Sequence, residues 1–370
     1  MHFKRCCFGV RKSSQQDLAE LSSEKDIKLF SYNALRSATD NFHQSNKIGR
    51  GGFGTVYKGI LKDGTPIAAK VLSAESKQGI KEFLNEINAI ANVKHPNLVL
   101  LLGCCVQGVN RILVYEYVEN SSLDQALIGT NSERARLHWG IRSEICIGTA
   151  KGLAYLHEDI EPHIIHRDIK ASNILLTENF LPKIGDFGLA KLFPDNVTHI
   201  STRVAGTTGY LAPEYAMQGQ LTRKADIYSF GVLVLEIISG KSCSKSYLSE
   251  DGKVLLERTW ELYEEGKLTE LVDPSLEDYP EEEVLRYIKV ALFCTQAVAG
   301  RRPSMPEVLH MLSKPIKLNE KELLPPGIIQ DPTTLSKGLE GSRTFVSTSA
   351  SSIPELSSTT LDTFTEMAPR

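Results

Sequence analysis

Long apolar runs are missing from this sequence. The run at residues 232–238, which reads Val-Leu-Val-Leu-Glu-Ile-Ile, is far shorter than the roughly 20 apolar residues that a membrane-spanning helix requires. The first residues also lack the pattern of a secretory signal peptide. We therefore interpret residues 232–238 as part of a buried core helix, and we expect a cytoplasmic protein without an ectodomain.

Abundant cysteine, strong net charge and internal repeats are also lacking. The 370 residues include 7 cysteines without the spacing of zinc ligands, and the odd count argues against a disulfide framework in the cytosol. Cys104, Cys105, Cys146 and Cys294 lie in apolar stretches, where we expect buried thiols. A formal net charge of -3 gives no reason to expect nucleic-acid binding.

Residues 166–173 carry the strongest chemical signal in the chain and read His-Arg-Asp-Ile-Lys-Ala-Ser-Asn, with Asp-Phe-Gly following from Asp186. Asp168 can accept a proton from an attacking hydroxyl, while Asn173 and Asp186 can hold Mg²⁺ ions that bridge ATP phosphates. The plainer alternative is that Asp168 and Asn173 are ordinary turn residues. The order and spacing of these residues resemble the eukaryotic protein kinases, in which Lys170 would place a cation beside the transferred phosphoryl group.

A glycine-rich segment at residues 48–56, Ile-Gly-Arg-Gly-Gly-Phe-Gly-Thr-Val, precedes these motifs. A similar pattern opens dinucleotide-binding folds, but there a helix follows directly, with an acidic residue about 20 positions on. Here two runs rich in strand formers, 55–61 and 66–72, flank a turn signal. This pattern indicates a kinase small lobe, in which glycines let the backbone approach phosphates closely. The residues expected at the nucleotide are Ile48, Gly49, Gly51, Gly52, Gly54 and Val56.

Within the second of these runs, Lys70 ends the motif Ile-Ala-Ala-Lys at residues 67–70. The resemblance assigns Lys70 to the α- and β-phosphates of ATP and to a helix glutamate. Phe83 and Ile87 lie four residues apart, as an amphipathic helix requires. The kinase spacing favours Glu86 as the partner of Lys70, with Glu82 one turn earlier as the rival. A solvated helix carboxylate is the plainer alternative for either residue.

The slot for the nucleotide base is expected between the two lobes. Residues 113–118, Leu-Val-Tyr-Glu-Tyr-Val, read as a strand and a hinge whose Glu116 and Val118 offer backbone groups to adenine. By resemblance, Tyr115 lies at the back of the ATP pocket. The residues expected to pack on the two faces of adenine are Val56, Ala68 and Leu175.

The segment at residues 186–214 resembles a kinase activation segment and carries several hydroxyl side chains. Ser201 and Thr202 are the first candidates for phosphorylation, because a phosphate adds about two negative charges that Arg167 can bind. Thr207 is a third candidate, although its hydroxyl is also expected to bond to the catalytic-loop aspartate and lysine. The alternative for each hydroxyl is ordinary loop polarity.

Other positions bear on the substrate class and on the support of the site. Within the kinase family, Lys170, two residues after the catalytic aspartate, implies Ser/Thr rather than Tyr substrates. Asp226 is expected to hold the backbone of the catalytic loop from a buried helix. Glu214 is expected to form a buried ion pair with Arg302, for which Arg301 is the alternative partner.

Three further stretches narrow the family. Residues 30–42, 95–103 and 206–215 resemble plant receptor-like kinases of the Pelle family. The likeness covers roughly residues 30–315 and, without an ectodomain, indicates a receptor-like cytoplasmic kinase near the cold-responsive protein kinase group. It implies receptor-linked signalling, an upstream receptor kinase as partner and activation by phosphorylation of the activation segment.

The two ends of the chain differ from the domain between them. Residues 1–12 carry four Lys or Arg and no acid, and Cys6 and Cys7 lie among these cations. Because residue 2 is His2 rather than Gly, N-myristoylation is excluded, but S-acylation of the two cysteines would anchor the chain at the plasma membrane. The plainer alternative is a solvated basic extension. The C-terminal tail is rich in Ser and Thr, and we expect it to be disordered and open to phosphorylation.

These patterns predict a two-lobed α+β protein kinase, with a small antiparallel β lobe that carries one main helix and a larger, mainly helical lobe. The predicted units are an N-terminal tail and lead-in segment at 1–42, a small lobe at 43–118, a large lobe at 119–314 and a tail at 315–370. The predicted reaction transfers the γ-phosphoryl group of ATP, with Mg²⁺, to Ser or Thr hydroxyls of proteins. The competing hypothesis is a catalytically silent scaffold, whose usual mark is loss of Lys70, Asp168 or Asp186, and all three are present. A dinucleotide-dependent oxidoreductase is disfavoured, because no helix signal follows the glycines.

Overall fold

The structure is a computed structural model that describes residues 27–51, 54–72, 77–128, 137–194, 197–243 and 254–328. Gly52, Cys6 and Cys7, and the tail beyond residue 328, lie outside the described residues. What the sequence predicts for these positions therefore stays a prediction.

The small lobe is built on a five-stranded antiparallel sheet. In chain order its strands are β1 (Lys47–Gly51), β2 (Gly54–Ile60), β3 (Pro66–Leu72), β4 (Leu101–Gln107) and β5 (Asn110–Glu116), and in space they lie in the order β1-β2-β3-β5-β4. Successive side chains of a strand face opposite sides of a sheet. Ile67 and Ala69 of β3 are therefore buried on the outer face with Val114, while Lys70 faces the cleft between the lobes.

The lead-in segment packs on the outer face of this sheet. Helix α1 (Tyr32–Ala38) begins after Ser31, whose side chain accepts a hydrogen bond from Ala34 N, and it buries Leu35 completely. Phe30 N donates to the backbone oxygen of Cys104 in the edge strand β4 at 2.8 Å. The lead-in therefore packs on the small lobe and covers apolar side chains that the sheet would otherwise expose to water.

Helix α2 (Lys77–Ile90) packs on the inner face of the sheet. Phe83 and Ile87 are buried there, as the predicted amphipathic pattern requires. Both Glu82 and Glu86 are also fully buried on this helix. A buried carboxylate is costly without a partner, so the position of α2 depends on what these side chains contact.

The large lobe is mainly helical. Its helices are α3 (Leu123–Ile128), α4 (Trp139–Ala154), α5 (Pro213–Gln218), α6 (Arg223–Ser239), α7 (Leu255–Glu264), α8 (Glu281–Cys294) and α9 (Met305–Ser313). Short antiparallel strands pair as β6 (His163–Ile165) with β9 (Lys191–Phe193), β7 (Ile174–Leu176) with β8 (Pro182–Ile184), and β10 (Ile200–Ser201) with β11 (Gln220–Leu221). The two lobes together confirm the predicted α+β architecture.

Helix α6 forms the centre of the large lobe. Every residue from Ala225 to Ser239 is buried, which confirms that the apolar run at 232–238 belongs to a core helix. Gly240 ends the helix with a φ of 64°, a conformation that glycine adopts without strain. Within the described part of the chain, no helix combines the length and the apolar character needed to cross a membrane.

The chain does not leave the domain after α9. Residues 315–328, which we call the C-terminal strap, return along α8, where Lys289 Nζ lies 2.7 Å from Glu320 Oε1. Leu323 and Gly327 are buried, and Gly327 N donates to the backbone oxygen of Thr295 at 3.0 Å. The C-terminal strap therefore packs on the large lobe and buries apolar side chains there.

The predicted buried thiols are present. Cys104, Cys105, Cys146 and Cys294 are free and buried. Burial raises the pKa of the Cys104 thiol to about 11. A thiol in such surroundings stays protonated at neutral pH and is a poor nucleophile.

Candidate active site

Asp168 lies in the loop between β6 and β7, where three side chains converge on it. Thr207 Oγ1 donates to Asp168 Oδ1 at 2.7 Å, and Lys170 Nζ lies 3.0 Å from Asp168 Oδ2. Asn173 Nδ2 donates to the backbone oxygen and to Oδ2 of Asp168, at 2.8 and 3.0 Å. These bonds hold the carboxylate in one orientation.

Asp226, in the buried first turn of α6, holds the backbone of this loop. Its Oδ2 accepts from His166 N at 2.7 Å, and its Oδ1 accepts from Arg167 N at 2.8 Å. Burial by itself raises the pKa of Asp226, but His157, His166 and the backbone N–H of Arg167 outweigh burial and lower it. The carboxylate therefore stays charged and keeps the loop in place.

The sequence patterns did not single out His157, although its Nε2 lies 2.9 Å from Asp226 Oδ2. His157 is buried on a π-helical turn (Tyr155–Asp159) that follows α4. Such turns are often found at functional sites. In the sequence, Glu158 and Asp159 follow His157 directly, so no local pattern marks His157 as a buried partner of Asp226.

Lys70 joins the small lobe to the large lobe through two carboxylates. Its Nζ lies 2.6 Å from Glu86 Oε1 on α2 and 2.7 Å from Asp186 Oδ1. Glu82, the rival on the preceding turn, is equally buried, but the ion pair with Lys70 is made by Glu86. Tyr115 donates a hydrogen bond from its hydroxyl to Glu86 Oε2.

Burial and charge act in opposite directions on these groups. Burial lowers the pKa of Lys70, but the carboxylates of Asp186 and Glu86 outweigh burial and raise it above its ordinary value. Burial raises the pKa of Glu86 to about 7, against the effect of Lys70. For Asp186, burial raises the pKa, and Lys70 more than offsets this, so the pKa is lowered. Lys70 is therefore a cation and Asp186 an anion at neutral pH.

Asn173 and Asp186, the candidate metal ligands, are brought together by the backbone. Gly185 N donates to the backbone oxygen of Asn173 at 2.8 Å, which places Asp186 beside Asn173. The Asp186 side chain is 35 % exposed, while the following Phe187 is buried edge-on against the His166 ring. A carboxylate and an amide supply the oxygen ligands that Mg²⁺ prefers, so these residues fit such an ion.

The residues predicted for the adenine pocket lie near the hinge. The pairing of β3 with β5 sets Ala68 opposite Tyr115, and Leu175 forms a bridge with Ser122 beyond the hinge. The Glu116 carboxylate is occupied, because it accepts from Lys183 Nζ and from Leu100 N, both at 2.8 Å. The predicted residues that remain partly buried are Val56, Ala68, Val118 and Leu175, and Ile48 is 46 % exposed.

Gly54 is required by strand packing, in addition to the predicted approach of its backbone to the phosphates. A Cβ at Gly54 would lie 2.3 Å from the backbone oxygen of Val71. At Gly51, no atom of the described residues lies within 4 Å of such a Cβ, and at Gly49 the nearest contact is 3.9 Å. Gly54 thus permits the close pairing of β2 with β3, whereas Gly49 and Gly51 leave space above the cleft.

The guanidinium of Arg167 is bound to the activation segment. Its Nε donates to the hydroxyl of Tyr215 at 3.1 Å, and its terminal nitrogens donate to the backbone oxygens of Leu189 and Arg203, each at 3.0 Å. Arg167 itself has a φ of 72°, in the left-handed region that non-glycine residues rarely adopt. The guanidinium of Arg167 contacts the early part of the activation segment at Leu189 and a later part at Arg203.

The three predicted phosphorylation candidates occupy different surroundings. Ser201 is exposed in β10, and Thr202, which is partly buried, donates from its N–H to Gly219 O at 3.1 Å. Thr207 differs, because its hydroxyl donates to Asp168 and accepts from Lys170 Nζ at 2.8 Å. Ser201 and Thr202 lie just before Arg203, the residue whose carbonyl binds Arg167.

Glu214 and Arg302 form a bidentate ion pair, with distances of 2.7 and 2.8 Å. The Arg302 side chain is fully buried, whereas Arg301 is exposed. The ion pair is thus made by Arg302 and not by the alternative Arg301. Two parallel charge-assisted bonds fix the end of the activation segment to the large lobe.

The family described as "Protein tyrosine and serine/threonine kinase" matches residues 42–312. Cold-responsive protein kinase 1 of Arabidopsis thaliana is 55 % identical over 324 residues, which are 87 % of this chain and 83 % of that protein. The probable LRR receptor-like serine/threonine-protein kinase At1g56130 and the probable leucine-rich repeat receptor-like serine/threonine-protein kinase At3g14840, from the same plant, are each 51 % identical. The match covers 88 % and 86 % of this chain but only 31 % of each receptor-like kinase.

Proposed function

The chain belongs to the protein kinase family and is a serine/threonine protein kinase, and on this basis we propose that Asp168, Lys170, Lys70 and Glu86 carry out its phosphoryl transfer. The silent-scaffold alternative has no support. The observation that carries the proposed roles is the pair of carboxylates on Lys70, one from each lobe. This arrangement positions a cation at the cleft between the lobes.

Asp168 is proposed to orient the substrate hydroxyl and accept its proton. Its carboxylate is already aligned by Thr207, Lys170 and Asn173, so little reorganisation accompanies the reaction. Lys170 is proposed to neutralise negative charge that develops on the transferred phosphoryl group. The bonds from Asp226 to the loop backbone support this placement.

Lys70 is proposed to bind the α- and β-phosphates of ATP, with Glu86 holding its ammonium group. Kinases of this family use ATP with a divalent metal, and we propose Mg²⁺ held by Asn173 and Asp186. When bound, the ion would neutralise phosphate charge. The proposed nucleotide contacts are the backbones of Glu116 and Val118, the side chains of Ile48, Val56, Ala68 and Leu175, and the loop glycines Gly49, Gly51, Gly52 and Gly54.

We further propose that the protein acts in receptor-linked signalling, where an upstream receptor kinase phosphorylates Ser201 or Thr202. The names of the receptor-like relatives and the position of Arg167 support this proposal. Cys6 and Cys7 are proposed sites of S-acylation, which would keep the protein at the cytoplasmic face of the plasma membrane. Their position among the four cations of residues 1–12 supports this.

The reaction is tested by comparing the full-length protein with Asp168→Asn in transfer of labelled phosphate from Mg-ATP to a protein substrate, followed by phosphoamino-acid analysis. We expect phosphoserine and phosphothreonine from the wild type, and a loss of about 100-fold or more in the variant, the usual worth of a general base. Asp278→Asn, the same change at an exposed position, is the control. A folded Asp168→Asn protein with near-normal transfer would remove Asp168 from this role, and dominant phosphotyrosine would overturn the substrate class.

A further inference from the structure

The C-terminal strap ends against Pro213, at the base of the activation segment. A Cβ built on Gly327 would lie 2.5 Å from Cγ of Pro213 and 3.1 Å from Cα of Ala297. Side-chain atoms do not approach other atoms this closely, so the strap backbone can lie against Pro213 only because residue 327 is glycine.

Specific hydrogen bonds hold the strap in this position. The hydroxyl of Tyr228 donates to the backbone oxygen of Gly327 at 2.6 Å. Ala297 N donates to the backbone oxygen of Pro325 at 3.2 Å, and Gly327 N donates to Thr295 O at 3.0 Å. Tyr228 lies on α6, the helix that also carries Asp226, so the strap is attached to the same element as the catalytic loop.

A second connection runs from the strap to Glu214. Gln296 Oε1 accepts from Leu324 N at 3.0 Å, and the backbone oxygen of Gln296 accepts from Arg302 Nε at 2.8 Å. Arg302 in turn forms the bidentate pair with Glu214. The strap thus reaches both Pro213 and the following residue through continuous contacts.

Pro213 terminates the stretch that borders the catalytic aspartate. Thr207 contacts Asp168 at 2.7 Å, and the backbone oxygen of Tyr210 accepts from Ser229 Oγ at 2.7 Å. Because Thr207 contacts Asp168, the proposed base, we take residues 207–213 as one wall of the protein-substrate site that the proposed reaction requires. The groups that contact Lys70 lie on other elements, and a shift of Pro213 does not move them directly.

We propose that the C-terminal strap positions the protein substrate: by packing Gly327 against Pro213, it sets the wall at residues 207–213 along which the substrate lies. Gly327 and Tyr228 are positioning residues, because they act through Pro213 and do not touch the reacting atoms. The inference rests on the proposed phosphoryl transfer. It requires that damage to the contact raises KM for a peptide substrate and leaves KM for ATP unchanged.

The test uses the full-length protein and a serine-containing peptide selected from a random library for phosphorylation by the wild type. Gly327→Ala should raise the peptide KM by about tenfold, since small displacements of substrate-positioning groups cost up to ~100-fold. Pro213→Ala removes the same contact, so it should raise the peptide KM by itself, and in a double-mutant cycle the double variant should lose less than the product of the two single effects. Gly300→Ala is the matched control, because no atom of the described chain lies within 4 Å of a Cβ there.

Tyr228→Phe gives an independent reading if Gly327→Ala does not fold. It keeps the ring and removes the hydrogen bond to Gly327, and we expect about a threefold rise in the peptide KM, the worth of one neutral hydrogen bond. The proposal is overturned if the peptide KM is unchanged in the folded variants, if KM for ATP rises equally, or if the effects of Gly327→Ala and Pro213→Ala simply multiply in the double variant. Transfer by the wild type, measured in parallel, separates these outcomes from a failure of the proposed reaction itself.

Discussion

The hydroxyl of Tyr115 donates a hydrogen bond to Oε2 of Glu86, whose Oε1 binds Lys70 at 2.6 Å. One carboxylate thereby joins strand β5, strand β3 and helix α2 at a single buried point. Because the Glu86 side chain is fully shielded from water, each of its oxygens depends on a protein donor. The placement of Lys70 in the cleft therefore depends on both bonds.

Replacing Tyr115 by Phe removes one donor from this carboxylate. We expect the free energy of unfolding to fall by about 1–3 kcal/mol, because one oxygen of Glu86 loses its partner in a buried site. Urea unfolding measures the change, and kcat should fall with it. Tyr57→Phe, the same change at a partly buried tyrosine whose ring packs edge-on against Phe42, is the control. Equal stability of Tyr115→Phe and wild type would contradict the role of the bond.

The two glutamates on α2 offer a matched pair of variants. Glu86→Gln should lower kcat/KM for ATP by about 10- to 100-fold, the equivalent of the roughly 1.5–3 kcal/mol of a hydrogen bond between charged groups. Glu82→Gln makes the same chemical change one turn away at an equally buried position and should retain most activity. Steady-state kinetics of both variants tests whether Glu86 is the functional partner of Lys70. A larger loss in Glu82→Gln would assign that role to Glu82 instead.

Arg142 and Asp273 form a fully buried ion pair at 2.8 Å. Burial by itself raises the pKa of Asp273, but the Ser275 N–H and Arg142 outweigh burial, and the pKa is lowered. A group with a lowered folded pKa contributes its full stability above the unfolded value of about 3.9 and loses it as the pH falls through the folded pKa.

Asp273→Asn should therefore lower the free energy of unfolding at pH 7 by about 3–5 kcal/mol, because it removes the carboxylate bound to a buried guanidinium. The difference from wild type should shrink below about pH 4, where the wild-type carboxylate also becomes protonated. Urea titrations at neutral and acid pH measure both effects. The exposed pair of Glu158 with Arg223 is the control, since Glu158→Gln should cost no more than about 1 kcal/mol. A difference that does not depend on pH would argue against this account.

Arg167 now binds the hydroxyl of Tyr215 and two backbone oxygens of the activation segment. Phosphate on Ser201 or Thr202 offers this guanidinium a stronger partner and should order the segment. Phosphatase treatment should lower activity by about tenfold, the worth of one charge-assisted hydrogen bond, and Mg-ATP should restore it. The double change Ser201→Ala with Thr202→Ala should prevent the recovery, while Thr198→Ala should not. An intact mass that shows a fully active protein without phosphate on the segment would refute this switch.

The N-terminal cysteines give a prediction for location. Cations near an anionic leaflet contribute only about 1 kcal/mol each and are released by salt, whereas acyl chains add about 0.8 kcal/mol for each buried methylene. Cys6→Ser with Cys7→Ser should therefore move the protein to the soluble fraction while its kinase activity in vitro stays unchanged. Membrane fractionation in high salt measures this. A wild type that fractionates as soluble would leave the N-terminus as a solvated basic extension.

The resemblance of the motifs to those of plant receptor-like kinases was sufficient to predict the kinase family, the serine/threonine class and the two-lobed α+β fold. Within short stretches the chemistry is local: Asp168, Lys170 and Asn173 lie within one loop, and backbone geometry alone keeps them close. The rivalry between Glu86 and Glu82 could not be decided by burial, because both are buried on one side of α2. The structure assigns the ion pair by the distance to Lys70.

The amino-acid sequence by itself determined which chemical groups this kinase carries and which regular helices and strands have a buried face, since both follow from local composition and periodicity. Only the tertiary structure decided which distant groups meet. Tyr115 reaches Glu86 across 29 positions, His157 reaches Asp226 across 69, and the C-terminal strap returns to Pro213. Apolar patterns predict that a face is buried, but they do not predict which element covers it, because the hydrophobic effect is non-directional. The choice of partner therefore comes from how complete elements pack together, and that packing places the substrate wall, the lead-in and the strap.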